Sequence, residues 1–230
     1  MNKKAVVLLS GGIDSTTCLA QAVEEYGAHN VAALSLFYGQ KHDREIKSAV
    51  DIAHYYNVVH IVQEIQGVFN FSDCTLLQGR KDIAKGSYAE QRSRAETTAP
   101  VDTYVPFRNG LFLSYAAAIA ISLNAEVIFY GAHADDAAGR AYPDCTPEFE
   151  QAMCEAIFEG SGRTLTMVAP LLYMNKAQVV EAGLKLKAPY HLTWSCYEGG
   201  DKPCGTCATC IDRMKAFEAN GKKDPAMAST

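Results

Sequence analysis

Ala5-Val6-Val7-Leu8-Leu9-Ser10-Gly11-Gly12-Ile13-Asp14-Ser15-Thr16-Thr17 is the stretch whose reading decides the fold. The run from Ala5 to Leu9 is short, β-branched and nearly continuous, as suits a strand buried on both faces of a parallel sheet. Beyond Thr17, the apolar residues Cys18, Leu19, Ala22, Val23 and Tyr26 fall at helical spacing. Two glycines therefore fold a central strand sharply into a helix, whose first N–H groups have no intrahelical partner. With the hydroxyls of Ser10, Ser15, Thr16 and Thr17 beside them, these groups form a cradle for phosphate. It is not a Walker loop, because no lysine follows the glycines and Asp14 stands where the positive charge would be. The dinucleotide fingerprint G-x-G-x-x-G is absent as well.

Working outward, Val31 to Phe37 reads as a second buried strand and Val58 to Val62 as a third. Between them Asp43 to Tyr56 places Ile46, Ala49, Val50 and Ala53 on one helical face with charges opposite. Such alternation implies right-handed crossovers and an open parallel sheet, an α/β class. From about residue 66 to 105 the rhythm breaks into a polar, glycine-punctuated stretch, read as a partly helical lid. Asn109 to Asn124 is an apolar helix suited to burial against the sheet or at a subunit interface, so a homodimer is an expectation. Val127 to Tyr130 is a fourth strand, Pro147 to Phe158 a helix with proline in its first turn, and Leu165 to Val168 the last strand. The expected organisation is an ATP-binding domain over 1–190, a metal-binding subdomain over 191–221 and a frayed tail over 222–230.

The chain has 230 residues, 48% of them hydrophobic and 20% charged, which fits one globular domain with a small appendage. Its net charge of -5, without a long basic run, disfavours an extended nucleic-acid surface. Gly110 to Ala125, the longest uncharged stretch, falls short of the about 20 residues that a membrane helix needs. With no signal-peptide core, a cytoplasmic protein is expected. Four of the eight cysteines crowd into Cys196-x7-Cys204-x2-Cys207-x2-Cys210, with Gly199, Gly200 and Gly205 for the turns. Four soft ligands in a closed set favour one structural Zn²⁺, and an iron–sulfur cluster is the alternative for the same residues.

Ser-Gly-Gly-x-Asp-Ser at residues 10–15 resembles the PP-loop of the ATP pyrophosphatase superfamily. Together with the late cysteines, Val105-Pro106-Phe107-Arg108-Asn109, Tyr142-Pro143-Asp144-Cys145 and Asn175-Lys176-Ala177, the chain resembles the 7-cyano-7-deazaguanine synthase family over nearly its whole length. The resemblance implies a Rossmann-like open parallel sheet of the adenine nucleotide α-hydrolase type. It implies an ATP-dependent carbon–nitrogen ligase that makes a nitrile from 7-carboxy-7-deazaguanine and ammonia in queuosine precursor synthesis, with ATP as a substrate accompanied by Mg²⁺. On that basis Leu9 to Thr17 hold the pyrophosphate, and the end of the second strand, at Leu36, Phe37 and Tyr38, meets the adenine. Asp14 orients the loop, reaches Mg²⁺ or caps the helix. Arg108 and Lys176 supply the missing cations, and Asp144 acts beside them. Asp135, Asp136, Asp144 and Tyr142 are the expected contacts to the guanine-like edge, whose adjacent N–H donors suit a carboxylate. His133 is either a structural hydrogen bonder or a proton carrier, and Cys145 is a candidate for a chemical role.

Two other readings remain open from the residues alone. A PP-loop enzyme that adenylates a tRNA base would want a basic RNA-binding surface, which the acidic balance does not supply. A non-catalytic nucleotide-binding module would not need the polar residues after the fourth strand. The cysteine segment has few large apolar residues, so its metal supplies its fold. Cys204→Ala is expected to lose metal and soluble yield together; unchanged metal content by elemental analysis would count against the cluster.

Overall fold

The computed structural model describes residues 2–65, 67–80, 82–86, 100–138 and 141–227. Five parallel strands form one sheet in the order β3-β2-β1-β4-β5, with β1 Ala5–Leu8, β2 Val31–Phe37, β3 Val59–Glu64, β4 Val127–Phe129 and β5 Thr166–Val168. β1 is central: Ala5 is in register with Val31 on one side and Val127 on the other. The order reverses at β1, so the crevice between the ends of β1 and β4 is the switch point where open α/β sheets receive ligands.

Period-two alternation divides the core. Ala5, Val7, Val31, Ala33, Val127 and Phe129 face one layer, and Val6, Ala32, Leu34 and Ile128 face the other. The first layer holds α1 (Ile13–Tyr26), α2 (Arg44–Tyr56), α6 (Lys176–Lys185) and α7 (Ala208–Ala219). The second holds α3 (Arg108–Ser122) and α5 (Pro147–Gly160), while α4 (Ala134–Ala137) is a single turn at the crevice. α1 begins at Ile13, directly after Gly12, so the second half of the loop motif is already the first turn of the helix. Asn57, in the left-handed conformation at φ 52°, ends α2. α3 buries Leu113, Ala116 and Ala120 against the sheet but leaves Tyr115 and Ile121 exposed, and so covers one face only. No helix among the described residues is long and apolar enough to cross a membrane.

One expectation is met by the described residues only in part, and one needs correction. In the 66–105 stretch the described residues form turns and two isolated bridges, Gln40 with Leu77 and Lys85 with Cys207, and no helix. Phe69, Leu76, Leu77, Ile83 and Val105 are buried there in a third cluster with Cys196, Cys207 and Cys210, because the apolar residues of this polar-looking stretch converge on the cysteines. Residues 66, 81 and 87–99 lie outside the described residues, so the lid reading is not addressed there. The correction concerns the tail. Instead of fraying after Gly221, it carries Asp224 into the core beneath α7, where both carboxylate oxygens meet Arg213 at 2.7 and 2.9 Å. Arg213 also donates to Thr193 Oγ1 and to the carbonyl of Tyr190, so a buried charge pair with satisfied hydrogen bonds locks the tail, α7 and the segment leading to the cysteines. Residues 228–230 lie outside the described residues. Removing one partner strands the other, at a cost of about 3–5 kcal/mol. Asp224→Ala is therefore expected to lower the unfolding free energy read by urea titration by that amount, and an unchanged value would show that the tail contributes nothing.

Candidate active site

The loop after β1 turns where Gly11 holds φ +88°. A Cβ at that position would come 2.3 Å from the Glu45 carbonyl oxygen and 2.9 Å from the Ala49 nitrogen, so the loop is pressed onto α2 and only glycine fits. Inside the loop the Ser15 hydroxyl accepts from the Ser10 N–H at 3.1 Å, and the two serine hydroxyls meet at 3.0 Å. Thr16 Oγ1 donates to the Gly12 carbonyl at 2.7 Å. Thr17 Oγ1 donates to the Ile13 carbonyl and meets the Tyr190 hydroxyl at 2.7 Å, fully buried. Leu9 and Ile13 are core side chains, and Phe37 ends β2. Ser10 and Ser15 therefore line the loop, while the Thr17 hydroxyl is committed to joining α1 to the chain around Tyr190.

The cation that the loop lacks arrives from α6. Asn175 and Gln178 form a reciprocal capping box at the start of that helix, and the Asp135 carboxylate accepts the Lys176 backbone N–H at 2.7 Å. This aims the Lys176 ammonium at Asp14, 2.7 Å from Oδ1 and 2.6 Å from Oδ2. His133 joins the cluster, with Nε2 3.3 Å from the Lys176 ammonium and 3.3 Å from Asp136 Oδ2. Burial alone would raise the Asp14 carboxyl, but Lys176 and His133 outweigh it and hold it below the usual carboxylate value. The cluster sits at the switch point: a Cβ on Gly131, just after β4, would stand 3.2 Å from the Ser15 nitrogen.

A second group gathers at the start of α3. The Arg108 guanidinium donates to the Tyr38 hydroxyl at 3.3 Å and lies over the rings of Tyr38 and Phe112. Asp144 is buried, with Oδ2 accepting the Asn109 N–H at 2.9 Å. The Asp144 carbonyl accepts from the Tyr130 hydroxyl at 2.5 Å, and Oδ1 has no partner among the described residues. Burial raises the Asp144 carboxyl, opposed by the Asn109 N–H and by Arg108. A desolvated carboxylate with one unserved oxygen is suited to a ligand bearing N–H donors. Tyr142, on the same connection, meets Thr103 Oγ1 through its hydroxyl at 2.6 Å. Cys145 is buried and accepts from Asn109 Nδ2 at 3.3 Å, and burial pushes its thiol far above the ordinary value.

The sequence-predicted residues thus fall into two constellations flanking the crevice, Asp14–Lys176–His133–Asp136 and Arg108–Tyr38–Asp144. Asp135 caps α6, so its visible task is to aim Lys176. Tyr38 is a partner that sequence reasoning placed only near the adenine; it sits one residue beyond a buried strand, where pattern carries no information about a side-chain hydrogen bond.

Behind the loop, the sulfurs of Cys196, Cys204, Cys207 and Cys210 all lie within 4.8 Å of one another. Backbone N–H groups of Cys204, Thr206 and Cys207 donate to cysteine sulfurs at 3.2, 3.4 and 3.3 Å, which favours thiolates. Such a set fits a metal ion. The Trp194 N–H donates to the Gly11 carbonyl at 2.9 Å and ties the cysteine segment to the nucleotide loop.

The family model described as Queuosine biosynthesis protein QueC matches residues 4–221. The chain is 44% identical over 223 residues to the 7-cyano-7-deazaguanine synthase of Archaeoglobus fulgidus, covering 96% of this chain and 89% of that protein. It is 41% identical over 226 residues to the enzyme of the same name from Oceanobacillus iheyensis, covering 97% of each. Among solved structures it is similar to NMN synthetase from Francisella tularensis, with a TM-score of 0.51 and 18% identity over 96% of this chain and 79% of that one, a likeness of fold alone.

Because the folded Asp14 value lies below the unfolded one, the stabilisation from its pairing is present above the unfolded carboxylate value and disappears as the pH falls through the folded one. Lys176→Met is therefore expected to cost about 1–3 kcal/mol at pH 7, the range between an exposed and a buried pair. The cost should shrink toward zero in strong acid, as read by urea unfolding across pH; a pH-independent loss would assign the effect to packing.

Proposed function

The chain belongs to the family of the queuosine biosynthesis protein QueC, and on that premise we propose that it converts 7-carboxy-7-deazaguanine and ammonia to 7-cyano-7-deazaguanine at the expense of ATP. The observation that carries this reading is the pairing of two sites across one crevice. On one side is a glycine loop that borrows its cation from Lys176, and on the other the buried Asp144 with an unserved oxygen.

A carboxylate is a poor electrophile, and ammonia cannot expel oxide from it. Attack of the substrate carboxylate on the α-phosphorus forms a C–O–P linkage while pyrophosphate departs with the broken P–O bond. The loop N–H groups, Ser10, Ser15 and the Lys176 ammonium hold the departing pyrophosphate, with Mg²⁺ accompanying ATP. Asp14 holds that ammonium in place through both carboxylate oxygens. Asp144 accepts the N–H donors of the deazaguanine edge, and Arg108 balances the negative charge gathered beside it. Asp136 and Tyr142 border the same pocket. Ammonia then displaces AMP to give the amide, and a second adenylation, on the amide oxygen, permits loss of that oxygen and leaves the nitrile. The work is positioning and charge neutralisation rather than covalent catalysis by the chain.

The enzyme is a carbon–nitrogen ligase acting on small molecules in the cytoplasm. The four cysteines hold one structural Zn²⁺, a closed site with no open coordination position for chemistry.

Incubation with ATP, ammonia and the carboxylic acid is expected to yield nitrile, AMP and pyrophosphate by mass spectrometry. AMP without nitrile would preserve the adenylation and reject the product. Asp144→Asn is expected to lower kcat/KM for the acid by about tenfold to a hundredfold, the loss of a charged hydrogen bond, with the KM for ATP unchanged.

A further inference from the structure

The mechanism leaves one proton unaccounted for. Near neutral pH ammonia is mostly ammonium, and its lone pair is free only after a proton has gone. Asp14 is neutralised by Lys176, so a different base is required.

Glu45 stands in the first turn of α2, with its carbonyl pressed against Gly11 of the nucleotide loop. Its side chain is partly buried, and among the described residues no hydrogen bond or ion pair reaches its carboxylate. The residue lines a small cavity with Tyr38, Gln40, His42, Leu76 and Tyr197 that has room for about one water-sized molecule, which is the size of ammonia. The charged and titratable groups facing it are Arg108 from α3, Tyr38, Lys41 and His42 from the β2–α2 connection, and Tyr197 from the cysteine segment. Arg108 acts electrostatically on both Glu45 and Asp144. Burial pushes the Glu45 carboxyl up to about 7, against the pull of Arg108. A base poised there matches neutral working conditions.

We propose that Glu45 is the general base that takes a proton from ammonium and frees it to attack the adenylated carboxyl carbon, an inference that rests on the adenylation reading above. An N–H bond of ammonium breaks, its electron pair stays on nitrogen, and the proton passes to a Glu45 carboxylate oxygen. The nitrogen lone pair forms the C–N bond, the C–O bond to AMP breaks, and AMP leaves with that pair. A second proton leaves the nitrogen for water, and Glu45 returns its own proton to water.

The test compares two nucleophiles, ammonium and hydroxylamine, the latter already unprotonated at neutral pH. In Glu45→Gln, amide formation from ammonium is expected to fall about 10²–10⁴-fold. Hydroxamate formation from hydroxylamine, and ATP–pyrophosphate exchange driven by the acid alone, should stay within about threefold of wild type. Equal losses with both nucleophiles, or no loss with ammonium, would overturn the assignment. Should the variant not fold, wild-type pH profiles decide: a limb near pH 7 with ammonium that is absent with hydroxylamine supports Glu45, and identical profiles overturn it. Failure of wild type to exchange pyrophosphate would remove the adenylation reading and this inference with it, whereas intact exchange with a failed nucleophile comparison removes this inference alone.

Discussion

The Lys176 ammonium rests on both oxygens of Asp14, and much of the site is arranged so that it can. A glycine loop with an acidic residue in its first helical turn is a poor anion site by itself, because the carboxylate cancels the positive end of the helix. Bringing a cation from α6 reverses that balance. It requires α6 to start at one place, and the chain fixes that start three times over, through Asn175, Gln178 and the Asp135 carboxylate on the Lys176 backbone N–H. Gly131 then lets the end of β4 approach α1 closely enough for His133 and Asp136 to close the cluster.

The sheet was legible in the sequence because each strand is a short apolar run between turn residues. β2 runs from Val31 to Phe37 as its pattern predicts, and β1, β4 and β5 each differ from expectation by a residue at one end. Local signals also marked the glycine loop after β1 and the cysteine segment. What the pattern hid were partnerships between distant residues. Asp135 reads as a substrate contact, yet its partner is a backbone N–H 41 positions away. Glu45 lies among the charges of an amphipathic helix, and no periodicity distinguishes a carboxylate facing a cavity from one facing water. Asp224 follows two lysines in a tail that looks soluble, and only Arg213 of α7 explains its burial.

The cysteine segment is more than an appendage to this arrangement. Its sulfurs belong to the same buried cluster as Phe69, Leu77 and Val105, so part of the polar insert folds onto it. Arg44 at the start of α2 reaches it as well, through an ion pair to Asp201 at 2.7 Å and a stack over Trp194. The cysteine cluster thereby helps to set the position of the glycine loop after β1.

Trp194 is the sole tryptophan of the chain, and its backbone N–H is bonded to Gly11 while its indole N–H is bonded to the Cys196 carbonyl. The protein therefore carries an intrinsic optical reporter at the seam between the glycine turn and the cysteine cluster. Its emission colour and quenching would register any change in packing at that seam, with no dye attached.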